Sequence, residues 1–328
     1  MHILQILKQR ATAIGGNIVL PEATDERTLR AAAMMIQEKL ARVTLLGDPQ
    51  SIKKDAAALN LDLAGCTMID PANSPDTARF ADIFFEKRKE KGITKEQALA
   101  TMQNVLFYGA MMVREGQASG MVAGAANTTA DVLRSALQVV GVMPGLKTVS
   151  STFIMVSPRE NENTYLFADC AVVPNPTDEQ LADIASSTAQ TRRSILGDEP
   201  YVALLSFSTK GSADHELVEK VRSARNILDG RKVDFAYDGE LQLDAAIVEK
   251  VAKSKAPGSN VAGRANTLVF PDLQAGNIGY KLVQRLGGYE AIGPIIQGLA
   301  APICDLSRGC STEDIFNTAI LVLLMSKK

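Results

Sequence analysis

Residues 17–49, NIVLPEATDERTLRAAAMMIQEKLARVTLLGDP, constrain the fold more than any other stretch. A short apolar run, NIVL, is followed by a helix-like segment and then by a second apolar run, RVTLLG. A helix between two short strands carries the chain back across the sheet, so the strands must run parallel. SIKKDAAALNL followed by CTMID repeats the pattern, and YVALLSFSTKGS, VDFAYDGELQLDAAIVEKVA and TLVFPDLQAGNIGYKLVQRLGG each open another strand–loop–helix unit. Such alternation predicts an α/β fold with mostly parallel sheets between helical layers. One place departs from it: VSSTFIMVSP and TYLFADCAVV are consecutive strands joined by the polar RENEN, which predicts a hairpin.

A chain of 328 residues has the length of roughly two domains. No linker or repeat stands out, but the alternation passes through MPGLKTVSS, residues 143–151. The expected plan is a first α/β domain of residues 1–148 plus about 296–328 and a second of 149–295. The last helix then returns to the first domain, and the active site falls in the cleft between the two.

Composition mainly excludes. Thirty-five basic against 37 acidic residues, a net charge of −2, give no basic excess for nucleic acid. The longest apolar run, AILVLLM, is far short of the ~20 residues needed to cross a bilayer. MHILQILKQRA has neither the cationic start nor the long apolar block of a signal peptide, and reads as an amphipathic helix with Ile3, Ile6 and Leu7 on one face. Cys66, Cys170, Cys304 and Cys310 lack CxxC spacing, which fits a reducing cytoplasm. With only His2 and His215 as histidines, no metal site is expected. A histidine-assisted nucleophile would need His215, which the sequence puts on the first turn of a surface helix.

GxGxxG, GxxxxGK[ST] and GxSxG are all missing, which disfavours a nicotinamide enzyme of conventional Rossmann type and a P-loop kinase. Two other loops share a form. In SRGCSTED, Ser307, Arg308 and Gly309 precede Ser311-x-x-Asp314, a capping box with Asp in place of Glu. In NTTADVLR, Asn127, Thr128 and Thr129 make a turn, Thr128-x-x-Asp131 can cap a helix, and Arg134 follows in its second turn. Free amides at a helix start bind anions, and an arginine adds a forked grip. Asp314 as a mere cap, and Arg308 as the ion-pair partner of Asp305 or Glu313, are the plain alternatives. FSTKGS is a weaker phosphate-cradle candidate, and the basic EKRKEKG can be a solvated helix end.

SGMVAGAANTTADVLRSALQ, LLSFSTKGSA, YDGELQLDAA, VFPDLQAGNIGYKLVQRLGG and PICDLSRGCSTEDI together resemble the phosphate acetyl/butyryltransferase family, in particular its phosphate acetyltransferases, from about Leu20 to the C-terminus. The resemblance implies two α/β domains of the isocitrate/isopropylmalate dehydrogenase type, a homodimer, and exchange between acetyl-CoA with phosphate and CoA with acetyl phosphate. No prosthetic group is implied; coenzyme A is a substrate. Residue by residue, Ser307, Arg308 and Asp314 match the family's catalytic serine, arginine and aspartate, and Arg88 and Arg134 match arginines that bind coenzyme A. Butyryl transfer, a metal-dependent decarboxylating dehydrogenase and a silent acetyl-CoA sensor are the alternatives.

The implied chemistry has a clear barrier. Proton transfer from a thiol (pKa about 8.5) to an ordinary Asp (about 3.9) is uphill by roughly 6 kcal/mol. Asp314 serves as base if burial raises its pKa, or if transfer accompanies attack. Arg308 holds the departing phosphate, and Ser307 donates to the carbonyl oxygen or the thiolate. Direct attack in a ternary complex is preferred to an acyl-enzyme on Cys310 or Ser307, since no base histidine accompanies either.

Overall fold

The computed structural model describes residues 3–159 and 163–326. It forms two compact units, Met1–Gly141 with Leu299–Lys328, and Val142–Gly298. Both divisions differ from those expected, at 148/149 and about 295/296, for a local reason. Met143 N–H donates to Gly298 C=O (2.8 Å) and Lys147 N–H to Asp183 (2.8 Å), both in the second unit. Gly141 C=O instead accepts from Ala300 N–H (3.0 Å), in the first.

The first unit begins with α1 (Ile3–Ile14), β1 (Asn17–Leu20), α2 (Glu26–Gln37), β2 (Arg42–Leu46), α3 (Pro49–Ala58) and β3 (Cys66–Ile69). α4 (Asp76–Arg88), α5 (Lys95–Met102), α6 (Val105–Arg114), β4 (Gly120–Ala123) and α7 (Thr129–Val139) follow. The second unit holds β5 (Ser150–Val156), β6 (Tyr165–Ala168), α8 (Asp178–Ile195), β7 (Tyr201–Leu205), α9 (Glu216–Arg231) and β8 (Ala236–Leu241). It continues with α10 (Leu243–Ile247), α11 (Glu249–Lys255), β9 (Thr267–Val269), α12 (Leu273–Arg285) and β10 (Glu290–Gln297). The chain then returns to the first unit as β11 (Ile303–Asp305) and α13 (Thr312–Met325).

The first sheet has the order β11-β4-β1-β2-β3, with every pair parallel. The chain builds outward from β1 to β3 and then resumes on the other side of β1. This reversal makes the carboxyl ends of β1 and β4 a topological switch point, where open parallel sheets bind ligands. The run AILVLLM lies in α13, which packs against β4, α1 and α2 and buries Ile315, Phe316 and most of its last three turns. Among the described residues no helix is long and apolar enough to cross a membrane.

The second sheet has the order β10-β5-β6-β9-β7-β8. β6, β9, β7 and β8 are parallel, whereas β5 runs antiparallel to both β6 and β10. The expected hairpin is the β5–β6 pair, Thr152 opposite Ala168 through Met155 opposite Tyr165. Residues 160–162 of its RENEN connector lie outside the described residues, as does His2.

Two local expectations change. The small and apolar residues 120–126 read in sequence as one strand, but the strand stops at Ala123, because Gly124 turns away at φ +104°. A Cβ there would sit 2.4 Å from Asp305 Oδ1 and 2.5 Å from Leu306 N, so only glycine fits. His215 is the N-cap of α9 rather than part of its first turn, its Nδ1 accepting from Leu217 N–H (3.2 Å). A capping imidazole has its lone pair engaged, which removes the one available histidine from nucleophile activation.

Candidate active site

Three loops of the first unit leave the carboxyl edge of its sheet side by side: residues 21–25 after β1, 124–128 after β4 and 306–311 after β11. The β4–α7 loop turns a row of amides inward, as an anion cradle would. Its occupant is internal. Glu22, 5% exposed, accepts from Ala125 N–H (2.8 Å), Ala126 N–H (3.1 Å), Asn127 N–H (2.8 Å) and the Asn127 side-chain amide (2.8 Å). Thr128 caps α7 through Asp131 N–H (3.2 Å), and its hydroxyl donates to the Asp131 carboxylate (2.7 Å). Arg134 pairs with the same carboxylate (2.7 Å), one turn away. Thr129 is exposed at the first position of the helix.

The β11–α13 loop starts alike and ends differently. Ser311 and Asp314 form the reciprocal capping box: Asp314 N–H donates to Ser311 Oγ (3.1 Å) and Ser311 N–H to Asp314 Oδ2 (2.8 Å). One Asp314 oxygen is therefore a cap, and the exposed carboxylate keeps the other available. Ser307 Oγ accepts from Gly309 N–H (3.3 Å), and Ser307 C=O from Cys310 N–H (2.9 Å), tightening the turn. Ser307, Arg308 and Gly309 are exposed. The Arg308 guanidinium forms no ion pair or hydrogen bond among the described residues, so neither Asp305 nor Glu313 neutralises it.

What fixes the Arg308 backbone is Arg27, a residue with no local signal in the sequence. Its guanidinium donates to Arg308 C=O (2.8 Å), Cys310 C=O (2.8 Å) and Ala125 C=O (2.7 Å), and pairs with Asp25 (2.7 Å). Asp25 is itself the N-cap of α2, and its carboxyl is held below the usual range first by the Arg27 side chain. One planar fork thus ties all three loops together. Cys310 is buried beside it. Burial pushes its thiol up and Arg27 pulls it part of the way back, so Cys310 is a poor thiolate.

Ser307 and Arg308 stand on one loop and Asp314 in the first turn of the helix after it, and Arg27 links that loop to the one carrying Asn127 and Thr128, with Thr129 at the start of α7. Arg134 stands on the exposed face of α7. Arg88 is apart from all of these, half-buried at the end of α4 and without an ion pair among the described residues. Its neighbour Lys87 donates to Val139 C=O (2.5 Å), at the far end of α7. Thr129 and Arg134 therefore lie along a helix about 16 Å long, whose far end receives Lys87, the neighbour of Arg88.

The FSTKGS loop of the second unit is also filled from within. Glu240 accepts from Gly211 N–H (2.8 Å), Ser208 Oγ (3.0 Å) and Arg222 (3.2 Å), while Lys210 pairs with Asp238. Among the described residues, no three His, Cys, Asp or Glu side chains come together to hold a metal ion.

The profile of the phosphate acetyl/butaryl transferase family matches residues 2–323. A phosphate acetyltransferase of Thermoanaerobacterium thermosaccharolyticum is 54% identical over 319 residues, 96% of each chain. That of Treponema pallidum is 49% identical over 99% of each. The crystal structure of a phosphotransacetylase from Streptococcus pyogenes superposes with a TM-score of 0.93 at 45% identity, covering 99% of this chain and 98% of that one. Likeness at this level extends over both units and every loop described above, and the chain belongs to the phosphate acetyl/butaryl transferase family.

Proposed function

We propose that the chain is a phosphate acetyltransferase, moving an acetyl group reversibly between acetyl phosphate and coenzyme A by direct attack in a ternary complex. Beyond the family itself, one observation carries the reading: Arg308 is an exposed guanidinium with no ion pair among the described residues, fixed at its backbone beside Ser307 and the start of α13. In the forward step the thiol proton passes to the open oxygen of Asp314 as sulfur bonds the acetyl carbon. The carbon–oxygen bond to phosphate breaks, and its electron pair leaves on phosphate, where Arg308 meets the charge. Asp314 is exposed, and transfer concerted with attack is the route we adopt. Ser307 supplies a hydroxyl to the carbonyl oxygen. The raised thiol of Cys310 and the engaged imidazole of His215 disfavour an acyl-enzyme.

Coenzyme A serves as substrate, with no prosthetic group. Arg134 and Arg88 hold its phosphates along α7, and Asn127, Thr128 and Thr129 line the near end. The protein works in the cytoplasm as a homodimer. A second copy suits α12, which buries only Gly276 among its own residues and exposes Ile278 and Leu282, with Leu286 (82%) exposed just past its end. Thioester formation from acetyl phosphate and coenzyme A tests the activity, with butyryl phosphate as comparison. Equal or faster use of butyryl phosphate would move the assignment to butyryl transfer, and no thioester from either would remove it. Light scattering at micromolar concentration reads the mass expected for two chains, or overturns the dimer.

A further inference from the structure

Four buried carboxylates stand at or next to strand ends, and three are fully engaged. Glu22 takes four N–H donors. Asp169, after β6, takes Ala171, Val172 and Val173 N–H together with the Ser151 amide and hydroxyl. Glu240 takes Gly211, Ser208 and Arg222. Asp305, at the end of β11, is the exception: it is 4% exposed, and its Oδ1 has no hydrogen-bond partner among the described residues. It also lies tight against Gly124, at the position a side chain there would need.

We propose that Asp305 is a positioning residue, whose proton state sets how the Ser307–Arg308 loop lies against the Gly124–Asn127 loop. The inference rests on the reading that Ser307 and Arg308 perform the transfer. Asp305 lies opposite Ala123 in the ladder, and the next amide, Leu306 N–H, donates to Ala123 C=O (2.8 Å), so the two loops diverge from this pair. The groups around it are few. Glu22 faces it from the β1–α2 loop and the Thr129 hydroxyl from the start of α7, while β4 brings no charge. Asp131 is engaged by Thr128 and Arg134, Asp314 by the Ser311 amide, and Arg27 by Asp25 and three carbonyls. Among the described residues no cation offsets its charge, and an ionised Asp305 is repelled by the Glu22 carboxylate.

Burial pushes the Asp305 carboxyl up from 3.8 to about 6; Glu22 adds to this, while the Thr129 hydroxyl and the Leu306 amide pull the other way. Below that value the charge disappears, and with it the repulsion between Asp305 and Glu22, whose carboxylate holds the Ala125–Asn127 amides. The sign for stability follows. Between 3.8 and about 6 the folded chain keeps a proton that the unfolded chain releases, so stability falls as pH rises through this window and levels off above it.

Asp305→Asn fixes the neutral state at nearly constant shape. Turnover at saturating substrates should match wild type at pH 5, where both side chains are uncharged. By pH 7.5 the two should differ by roughly threefold or more, with the change centred near the Asp305 value. The variant should also gain melting temperature over wild type as pH rises from 4 to 6. A turnover ratio constant from pH 5 to 8 overturns the positioning role even if the melting curves part, because a purely structural carboxyl shifts stability alone. Should the variant fail to fold, isotope-edited infrared titration of aspartate carboxyls in the wild-type protein decides. A protonated carboxyl persisting to about pH 6 supports the proposal, and complete ionisation below pH 5 defeats it. Arg308→Lys assayed at one pH is the parallel control: wild-type turnover there removes the reading of the loop, whereas the Asp305 test reads the shape of a pH profile.

Discussion

The β4–α7 and β11–α13 loops have the same sequence form: small residues, a hydroxyl cap, an acid three positions on, and an arginine close by. In the folded chain they are opposites. The amides of the first are saturated by Glu22, and its Arg134 is paired with Asp131. In the second, Arg308 has no counter-charge among the described residues, and Asp314 uses one oxygen for its cap. A loop that satisfies its own donors is a rigid wall. A loop that leaves a cation and a carboxylate oxygen open to solvent can perform chemistry. Under the proposed function, the reacting groups stand on the second loop, and the first supplies shape and binding.

The largest effect should come from Asp314→Asn. The amide oxygen can still accept from Ser311 N–H, so the helix cap survives and the melting temperature stays near normal. An amide cannot take the thiol proton, and loss of a general base costs about 10²- to 10⁴-fold in rate. The residual rate should rise with pH as free thiolate accumulates toward about 8.5. Wild-type turnover in a destabilised Asp314→Asn protein would make the two loops equivalent after all.

Arg308→Lys comes next. Lysine keeps the charge and loses the planar fork, and loss of one transition-state contact costs about 10²- to 10³-fold in turnover. Arg134→Ala and Arg88→Ala should instead raise KM for coenzyme A, with kcat and KM for acetyl phosphate changing less. Steady-state kinetics on the three variants separates the roles. A turnover defect for Arg134→Ala as deep as that of Arg308→Lys would break the division between the loops.

Glu22→Gln tests the filled cradle directly. The substitution turns an N–H pair toward backbone N–H groups and strands at least one buried donor, at a cost of about 1–3 kcal/mol. Denaturant melts should register the loss. If the cradle were a substrate site that Glu22 merely blocks, the same variant would bind phosphate more tightly at unchanged stability.

What the sequence discloses here follows from range. Local signals are legible: the strand–helix alternation, the Ser311 capping box and the β5–β6 hairpin all depend on residues near one another in the chain. Ser307, Arg308 and Asp314 are legible as one short motif. Glu22 and Arg27 are not, because their partners lie about 100 and 280 residues away and exist only once β1, β4 and β11 are adjacent. The early end of β4 has the same origin, since Gly124 turns where Asp305 and Leu306 leave no room. Asp305 was visible only as a potential partner for Arg308. Its burial, and the absence of that pairing, are properties of the sheet.

The smallest effects belong to the caps. Thr128→Ala removes the acceptor for Asp131 N–H, and Ser311→Ala the acceptor for Asp314 N–H. Each should cost about 1 kcal/mol, the usual worth of an N-cap hydroxyl. Their kinetic consequences should differ by mechanism. Losing the Thr128 hydroxyl frees one Asp131 oxygen, but Arg134 still holds the carboxylate, so KM for coenzyme A should shift slightly and kcat should not. Losing the Ser311 hydroxyl leaves the backbone half of the box, Ser311 N–H to Asp314 Oδ2, in place. Asp314 then keeps its orientation through one bond instead of a reciprocal pair, and kcat should fall by a few-fold only, far less than in Asp314→Asn. Melting curves and kcat measured together on these two variants check the point. A deep loss of turnover in Ser311→Ala would mean that the serine hydroxyl works on the substrate as well as on the helix, and that the second loop is open at one more position than its hydrogen bonds suggest.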